Sequence, residues 1–449
     1  MTSTTSTVSP NPLLNDPIER LVRRKSSGMM IGILGIMLFF LVDSWFIAFL
    51  GTEALAAMSF IMPVCFMVTS LSMGMGGGMS AIVGRQLGAA QHQQARRFVS
   101  DSLLLTIILM GGLAVVGYAS IEWVFTQLGA TAGIMHYITD YMQVWYLGVL
   151  FLVIPMVGNA AIRASGNMRL PAVIMWVSGA VNAVLDPIFM FALDLGIQGA
   201  ALATMVAWMV TFAVSMFVLH FRLHLLNWQW PGLQPLLKNW STLLKMGIPT
   251  AMSQMLHPIA QGILVSIAAN FGLFGVAAMG IGMRIESTIL IVAMGVSSVI
   301  PTVFGQNYGA KLYQRAGRSI HYSINFVVVI YSAVYLLLWL SAPDLAGFFS
   351  DEQEVIDITT NYLRILPLSY AMYAVGSIAS SLLTALHRPM SALMLNITRL
   401  FLVTVPAAFI GSELGDIYGL FWAVSGAQIL VGIALWIYTR RLLASMRCS

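Results

Sequence analysis

The chain has 449 residues, 59% hydrophobic and only 9% charged, with a net charge of +5 and a mean hydropathy of +0.85. Soluble domains carry about 25% charged residues, so these proportions exclude a soluble enzyme and require a polytopic integral membrane protein. The two cysteines, Cys65 in an apolar run and Cys448 near the end, make neither a disulfide framework nor a metal-binding spacing.

Residues 1–28 are polar, rich in Ser, Thr and Pro before RLVRRK. They lack the apolar core and cleavage site of a signal peptide and read as a flexible cytoplasmic tail. A spanning helix needs about 20 apolar residues. By that rule twelve spans follow, near 29–50, 55–80, 102–121, 139–161, 171–193, 198–220, 248–271, 275–303, 319–341, 357–385, 391–411 and 417–439.

The loops alternate in charge. One set carries Arg20, Arg23, Arg24 and Lys25, then Arg85, Arg96 and Arg97, Arg163 and Arg169, Arg222, Lys238 and Lys245, Lys311, Arg315 and Arg318, His387 and Arg388, and Arg440, Arg441 and Arg447. The other carries Glu53, Glu122, Asp194, Asp344, Asp351, Glu352, Glu354, Glu413 and Asp416. Basic loops mark the cytoplasmic side, so both termini are expected inside. Spread over so many loops, the basic residues are topology signals rather than a nucleic-acid patch.

The longest internal loop, 221–247, holds Trp228, Trp230 and Trp240 and divides the spans six and six. The halves repeat. GRQLGAAQHQQARR (from 84) matches GQNYGAKLYQRAGR (from 305), GTEALAAM (from 51) matches GLFGVAAM (from 272), and Tyr141 matches Tyr362, all at one offset of 221 residues. Six spans per half make a parallel repeat about an axis along the membrane normal. The expected fold is all-α, with twelve transmembrane helices in two pseudo-symmetric six-helix lobes around a central cleft. The N-terminal lobe is placed at 29–220, the inter-lobe loop at 221–247, the C-terminal lobe at 248–440 and a tail at 441–449.

The repeat is informative where it fails. Asp43, within IMLFFLVDSWFIAFLG, maps to Leu264, and Asp186 maps to Ala407. A charge at the bilayer centre costs roughly 2.5–3.5 kcal/mol on insertion scales, and intramembrane acids are functional by default. Asn182 lies four residues before Asp186, on the same helical face, and Pro187 removes a backbone donor beside it. Thr204 stands among small residues in the next span, and Tyr141 opens the fourth. Asp43, Asn182, Asp186, Thr204 and Tyr141 are therefore read as one pocket. Two carboxylates out of water cannot both stay ionised cheaply, so the pocket suits a proton, while the Asn and Thr oxygens also permit a sodium ion.

In the C-terminal half, Arg284 and Glu286 sit within the eighth span and read as a compensating ion pair or a cleft contact. His257 and Gln261 in the seventh span are further cleft candidates, with His257 expected to be a satisfied packing residue. Arg284 is taken as the one clear embedded cation, too little for a phosphate-lined flippase cleft. No HExxH, GxSxG or Walker A motif is present, so an enzyme or a directly ATP-driven pump is not expected.

The chain resembles the multidrug and toxic compound extrusion (MATE) family, in particular its DinF-like branch, from about residue 20 to 440. The resemblance rests on LVDSWFIAFLGTEALAAMSF, VGRQLGAAQHQQAR, RASGNMRLP, VNAVLDPIF, GIQGAALAT, MRIES and FGQNYGAK in this order. It implies a multi-pass inner-membrane antiporter that exports organic cations, drugs or other amphipathic small molecules by alternating access. The coupling ion would be H⁺ or Na⁺, H⁺ being favoured by the two acids, with no cofactor. Carried onto matching positions, the coupling site is again Asp43, Asn182, Asp186 and Thr204, with Tyr141 nearby. A monomer in the lipid bilayer is expected. A lipid-precursor flippase or an exporter of an endogenous metabolite is the alternative. The stretch Phe39-Phe40-Leu41-Val42-Asp43 lacks the asparagine of the Tyr-Asn-Leu-Val-Asp that many relatives carry here, Phe40 standing in its place.

Overall fold

The computed structural model describes residues 11–229 and 232–446. The first ten residues, Trp230, Pro231, Arg447, Cys448 and Ser449 lie outside the described residues. Those described are helices and short connections, with no strand among them. Long apolar stretches must satisfy their backbone internally in lipid, and helices do so within one segment.

The first six membrane helices are Ile18–Ala48, Thr52–Gly88, His92–Ala119, Ala132–Ala164, Arg169–Ala192 and Gly196–Arg222. The seventh is Leu233–Ala269. The eighth is the bent pair Gly272–Ile289 and Ile291–Gly309, the ninth Tyr313–Phe349 and the tenth Gln353–Ala385. The eleventh and twelfth lie in Pro389–Ser445, which breaks at Gly415 and Asp416, where Asp416 has φ +54°. The twelve helices form two six-helix lobes around a central cleft.

The repeated motifs have geometric reasons. Gly51 and Gly272, mates across the repeat, both take positive φ (+109° and +83°) at the turn before the second helix of their lobe. The motif from 84 and its partner from 305 lie where the lobes touch. A Cβ on Gly88 would stand 2.6 Å from Gln306 Cα, and one on Gly309 would stand 3.0 Å from the Arg85 carbonyl carbon. Arg85 and Gln306 are themselves mates, so one contact is made twice about the pseudo-two-fold axis.

Hydrogen bonds between the lobes, among the described residues, cluster at that end. Gln306 Nε2 donates to the Ala164 carbonyl at 2.6 Å and Thr302 Oγ1 to the Arg163 carbonyl at 3.2 Å. Ser80 and Thr302 hydroxyls lie 3.5 Å apart. Asn239 and Trp240, at the start of the seventh helix, donate to the Asp101 carboxylate and carbonyl, each at 2.7 Å. The lobes are thus closed at the end carrying both termini.

The N-terminal segment departs from the flexible tail expected over 1–28. The first helix begins at Ile18 and buries Ile18, Leu21 and Val22. Ahead of it, Pro12–Asn15 is a single turn. Asn11 Nδ2 donates to Gln306 Oε1 at 2.8 Å, and Asn307 Nδ2 donates to the Leu13 carbonyl at 3.1 Å. Arg315 bonds the Asp16 carbonyl. The apolar residues that alternate with RLVRRK supply a buried stripe, which is why the segment is helical.

Candidate functional site

The first and fifth helices run side by side in register. A Cβ on Gly32 would meet Ala172 Cβ at 3.0 Å, one on Gly35 would meet Trp176 Nε1 at 3.0 Å, and one on Gly179 would meet Phe39 Cβ at 3.6 Å. Trp176 Nε1 donates to the Ile31 carbonyl at 2.9 Å. Each pairing advances three or four residues on both helices. One more turn brings Asp43 level with Asn182 and Asp186. The sixth helix closes the group through Thr204.

Asn182 Nδ2 donates to Asp186 Oδ1 at 3.0 Å and to Thr204 Oγ1 at 3.1 Å. Asn182 and Asp186 are wholly buried, and Asp43 is 2% exposed. Three buried oxygens have no partner: Asp43 Oδ1, Asp186 Oδ2 and Asn182 Oδ1. Charge on Asp43 is felt at both Asp186 and Tyr141. Tyr141, in the fourth helix, is buried. A π-helical turn, Ile188–Ala192, follows Pro187, as the missing backbone donor dictates. The five N-lobe candidates therefore converge on an acceptor-rich, buried pocket.

The C-lobe candidates separate. Arg284 and Glu286 form no ion pair: Arg284 is exposed, whereas Glu286 is buried and accepts from Tyr362 Oη at 2.5 Å. Residues two apart point to opposite helix faces, so the pairing fails on geometry. Gln261 and Glu286 line one small cavity with Tyr362 and Gln428. His257 is not satisfied: its Nδ1 is buried without a partner, and its ring lies 5.6 Å from that of Tyr373.

Arg284 is also not the embedded cation. That is Arg399, 7% exposed in the eleventh helix. Its signal in the sequence is a lone arginine inside the span 391–411, the mirror of a lone aspartate in the first.

Two lobes closed at one end, an internal repeat and a buried carboxylate pocket in one lobe define a two-lobed membrane transporter of small molecules. The MatE family model matches twice, over residues 29–188 and 249–410, once in each lobe, and the chain belongs to that family of multidrug and toxic compound transporters. It is 36% identical over 441 residues to a protein named FAD transporter from Shewanella oneidensis, covering 97% of this chain and 98% of that one. It is 23% identical over 412 residues to the multidrug export protein MepA of Staphylococcus saprophyticus, covering 90% of each. Among solved structures it is similar to the Vibrio cholerae MATE transporter VcmN in its bent form, with a TM-score of 0.92 and 28% identity, covering 96% of this chain and 98% of that one.

Proposed function

We propose that the chain is a proton-coupled antiporter that exports organic cations, drugs and other amphipathic compounds from the cytoplasm. It would act as a monomer in the inner membrane, with both termini inside. The observation that carries this reading is the set of three partnerless buried oxygens on Asp43, Asp186 and Asn182. An acceptor left unpaired in a dry site is costly, and a single proton on either carboxylate turns an acceptor into a donor. A sodium ion is served less well, because Asp186 Oδ1 and Thr204 Oγ1 already accept from Asn182. These three oxygens then leave a thin cage for a hard cation.

In mechanism, a proton from outside enters the N-lobe pocket and removes the repulsion between Asp43 and Asp186. Neutral Asp43 bonds an oxygen across the pocket, drawing the first helix towards the fifth. The pocket then has lower affinity for cargo, which leaves outward. Inside, cargo loading favours proton release, so coupling follows from differential affinity between states. The opening step on the inner side is separation of the lobes at Gly88 and Gly309.

The test uses full-length protein in liposomes loaded with a fluorescent cationic dye, with pH and sodium gradients imposed separately. Efflux driven by the pH gradient alone, and lost in Asp43→Asn, supports the reading. Efflux driven by sodium alone, or undiminished in Asp43→Asn, overturns it. A second reading, export of an aromatic metabolite made by the cell, is favoured by the 36% identity to a relative named for FAD transport.

A further inference from the structure

The C-lobe holds a polar cluster that the coupling mechanism does not use. Arg399 is the second residue of a π-helical stretch, Thr398–Thr404, in the eleventh helix. Among the described residues it takes part in no ion pair. Its Nε is buried without a partner, and its Nη1 makes a long 3.4 Å bond to the Tyr373 carbonyl. The guanidinium carbon lies 4.8 Å from the centre of the Tyr373 ring. On the other flank the His257 ring stands 5.6 Å from Tyr373, its Nδ1 also partnerless. Three helices, the seventh, tenth and eleventh, contribute one member each.

The room for this group is built in. A Cβ on Gly376 would lie 3.5 Å from both Arg399 Cδ and Cζ and nearer still to Nη1, so glycine there leaves the guanidinium its seat. The acid whose charge reaches Tyr373, Glu286, is committed to Tyr362. His257 and Tyr373 are half-buried, which leaves the cluster open on one side. Across the repeat, the mates of His257, Tyr373 and Arg399 are Ile36, Leu152 and Ser178. The cluster thus breaks the symmetry with positive charge in one lobe as Asp43 and Asp186 break it with negative charge in the other.

A guanidinium is a planar fork of donors matched to an oxyanion. Buried without a counter-ion it is strongly disfavoured, so its retention points to an anion that arrives with the cargo. The aromatic faces beside it suit a flat ring. We propose that Arg399, His257 and Tyr373 form a subsite for the phosphate-type oxyanion of a planar aromatic solute, with Arg399 clasping the anion and Tyr373 and His257 flanking the ring system. This rests on the second reading above, export of an aromatic metabolite, and names a class within it.

The experiment compares riboflavin with riboflavin 5′-phosphate, which share one ring and differ by one phosphate. Binding to the full chain in lipid nanodiscs is followed by flavin fluorescence. Wild type is expected to bind the phosphate form at least tenfold more tightly. Arg399→Gln should bring that ratio near one while leaving riboflavin affinity within twofold, and Arg399→Lys should restore part of it. Inorganic phosphate added to wild type should weaken the phosphate form and leave riboflavin unaffected, a measurement that holds even if Arg399→Gln fails to fold. Equal affinities for the two flavins, or a ratio untouched by Arg399→Gln in a folded protein, overturn the subsite. Binding of neither flavin by protein that still drives dye efflux on a pH gradient also overturns it, while leaving the coupling reading standing.

Discussion

Gly88→Ala places a methyl group into the crossing of the second and eighth helices. Its Cβ would stand 2.6 Å from Gln306 Cα and inside the radius of the Gln306 carbonyl oxygen. Carbon atoms in contact rest about 3.5–4.0 Å apart, so the lobes must part by roughly 1 Å. The bonds of Gln306 to Ala164 (2.6 Å) and Thr302 to Arg163 (3.2 Å), and the contact of Ser80 with Thr302 (3.5 Å), then stretch beyond useful length. At about 0.5–1.5 kcal/mol net each, the closed end loses about 2–4 kcal/mol, a roughly 30- to 900-fold shift towards opening. The assay is maleimide labelling of Ala81→Cys, a buried position beside the same crossing, in protein also carrying Cys65→Ala and Cys448→Ala. Labelling should quicken at least 30-fold when Gly88→Ala is added. Gly112→Ala serves as control, since nothing lies within 4 Å of its Cβ. An unchanged labelling rate in a protein that transports normally would show that this crossing does not hold the closed state.

Asn182→Ala removes the donor shared by Asp186 and Thr204, so it should lower stability by about 1–3 kcal/mol and uncouple dye efflux from the pH gradient, read as a lower melting temperature and a proton leak in liposomes. Trp240→Phe deletes the bond to the Asp101 carbonyl at 2.7 Å and should cost about 1 kcal/mol, measured by thermal unfolding in detergent. His387, in the turn before the eleventh helix, is held below its usual pKa by burial and then by the Arg85 charge, against a weaker opposing bond to the Ala81 backbone. Its neutral form is the one favoured by folding, so stability falls as pH drops through the ordinary histidine range near 6.5. His387→Asn, which tolerates the φ of +60° there, should flatten the loss of melting temperature between about pH 7.5 and 5.5, whereas an unaltered pH profile would remove His387 as its source.

Much of this was legible in the sequence, for physical reasons. The spans, the repeat and the N-lobe pocket all follow from the cost of polarity in lipid: a lone acid in an apolar run stands out, and a missing mate across a repeat stands out further. Asn182 and Asp186 could be paired because four residues make one helical face. The same rule, applied to Arg284 and Glu286, argues against the ion pair that their adjacency suggests. His257 and Arg399 were the harder case. They lie 142 residues apart on two helices, and only the packing of the seventh, tenth and eleventh helices brings them to one tyrosine. The docked segment at Asn11–Asp16 was illegible for a related reason. Its partners are the side-chain amides of Gln306 and Asn307 and the guanidinium of Arg315, far along the chain, and polar composition reads alike whether a segment is solvated or pinned.

That pinned segment has a consequence for how the molecule is made. Asn11 bonds Gln306 across a sequence separation of 295 residues, and Leu13 bonds Asn307 across 294. The late partners, the acceptor Gln306 Oε1 and the donor Asn307 Nδ2, both belong to the eighth helix, made well into synthesis of the second half. At about 5–20 residues per second, the beginning of the chain waits roughly 15 to 60 s for its partners to leave the ribosome. Once the sixth helix is complete at Arg222, the remaining stretch to Gln306 takes about 4 to 17 s at that rate, and during it the first lobe is in the membrane with its inner end unsealed, so biogenesis passes through a half-molecule that is open to the cytoplasm until its second half arrives to shut it.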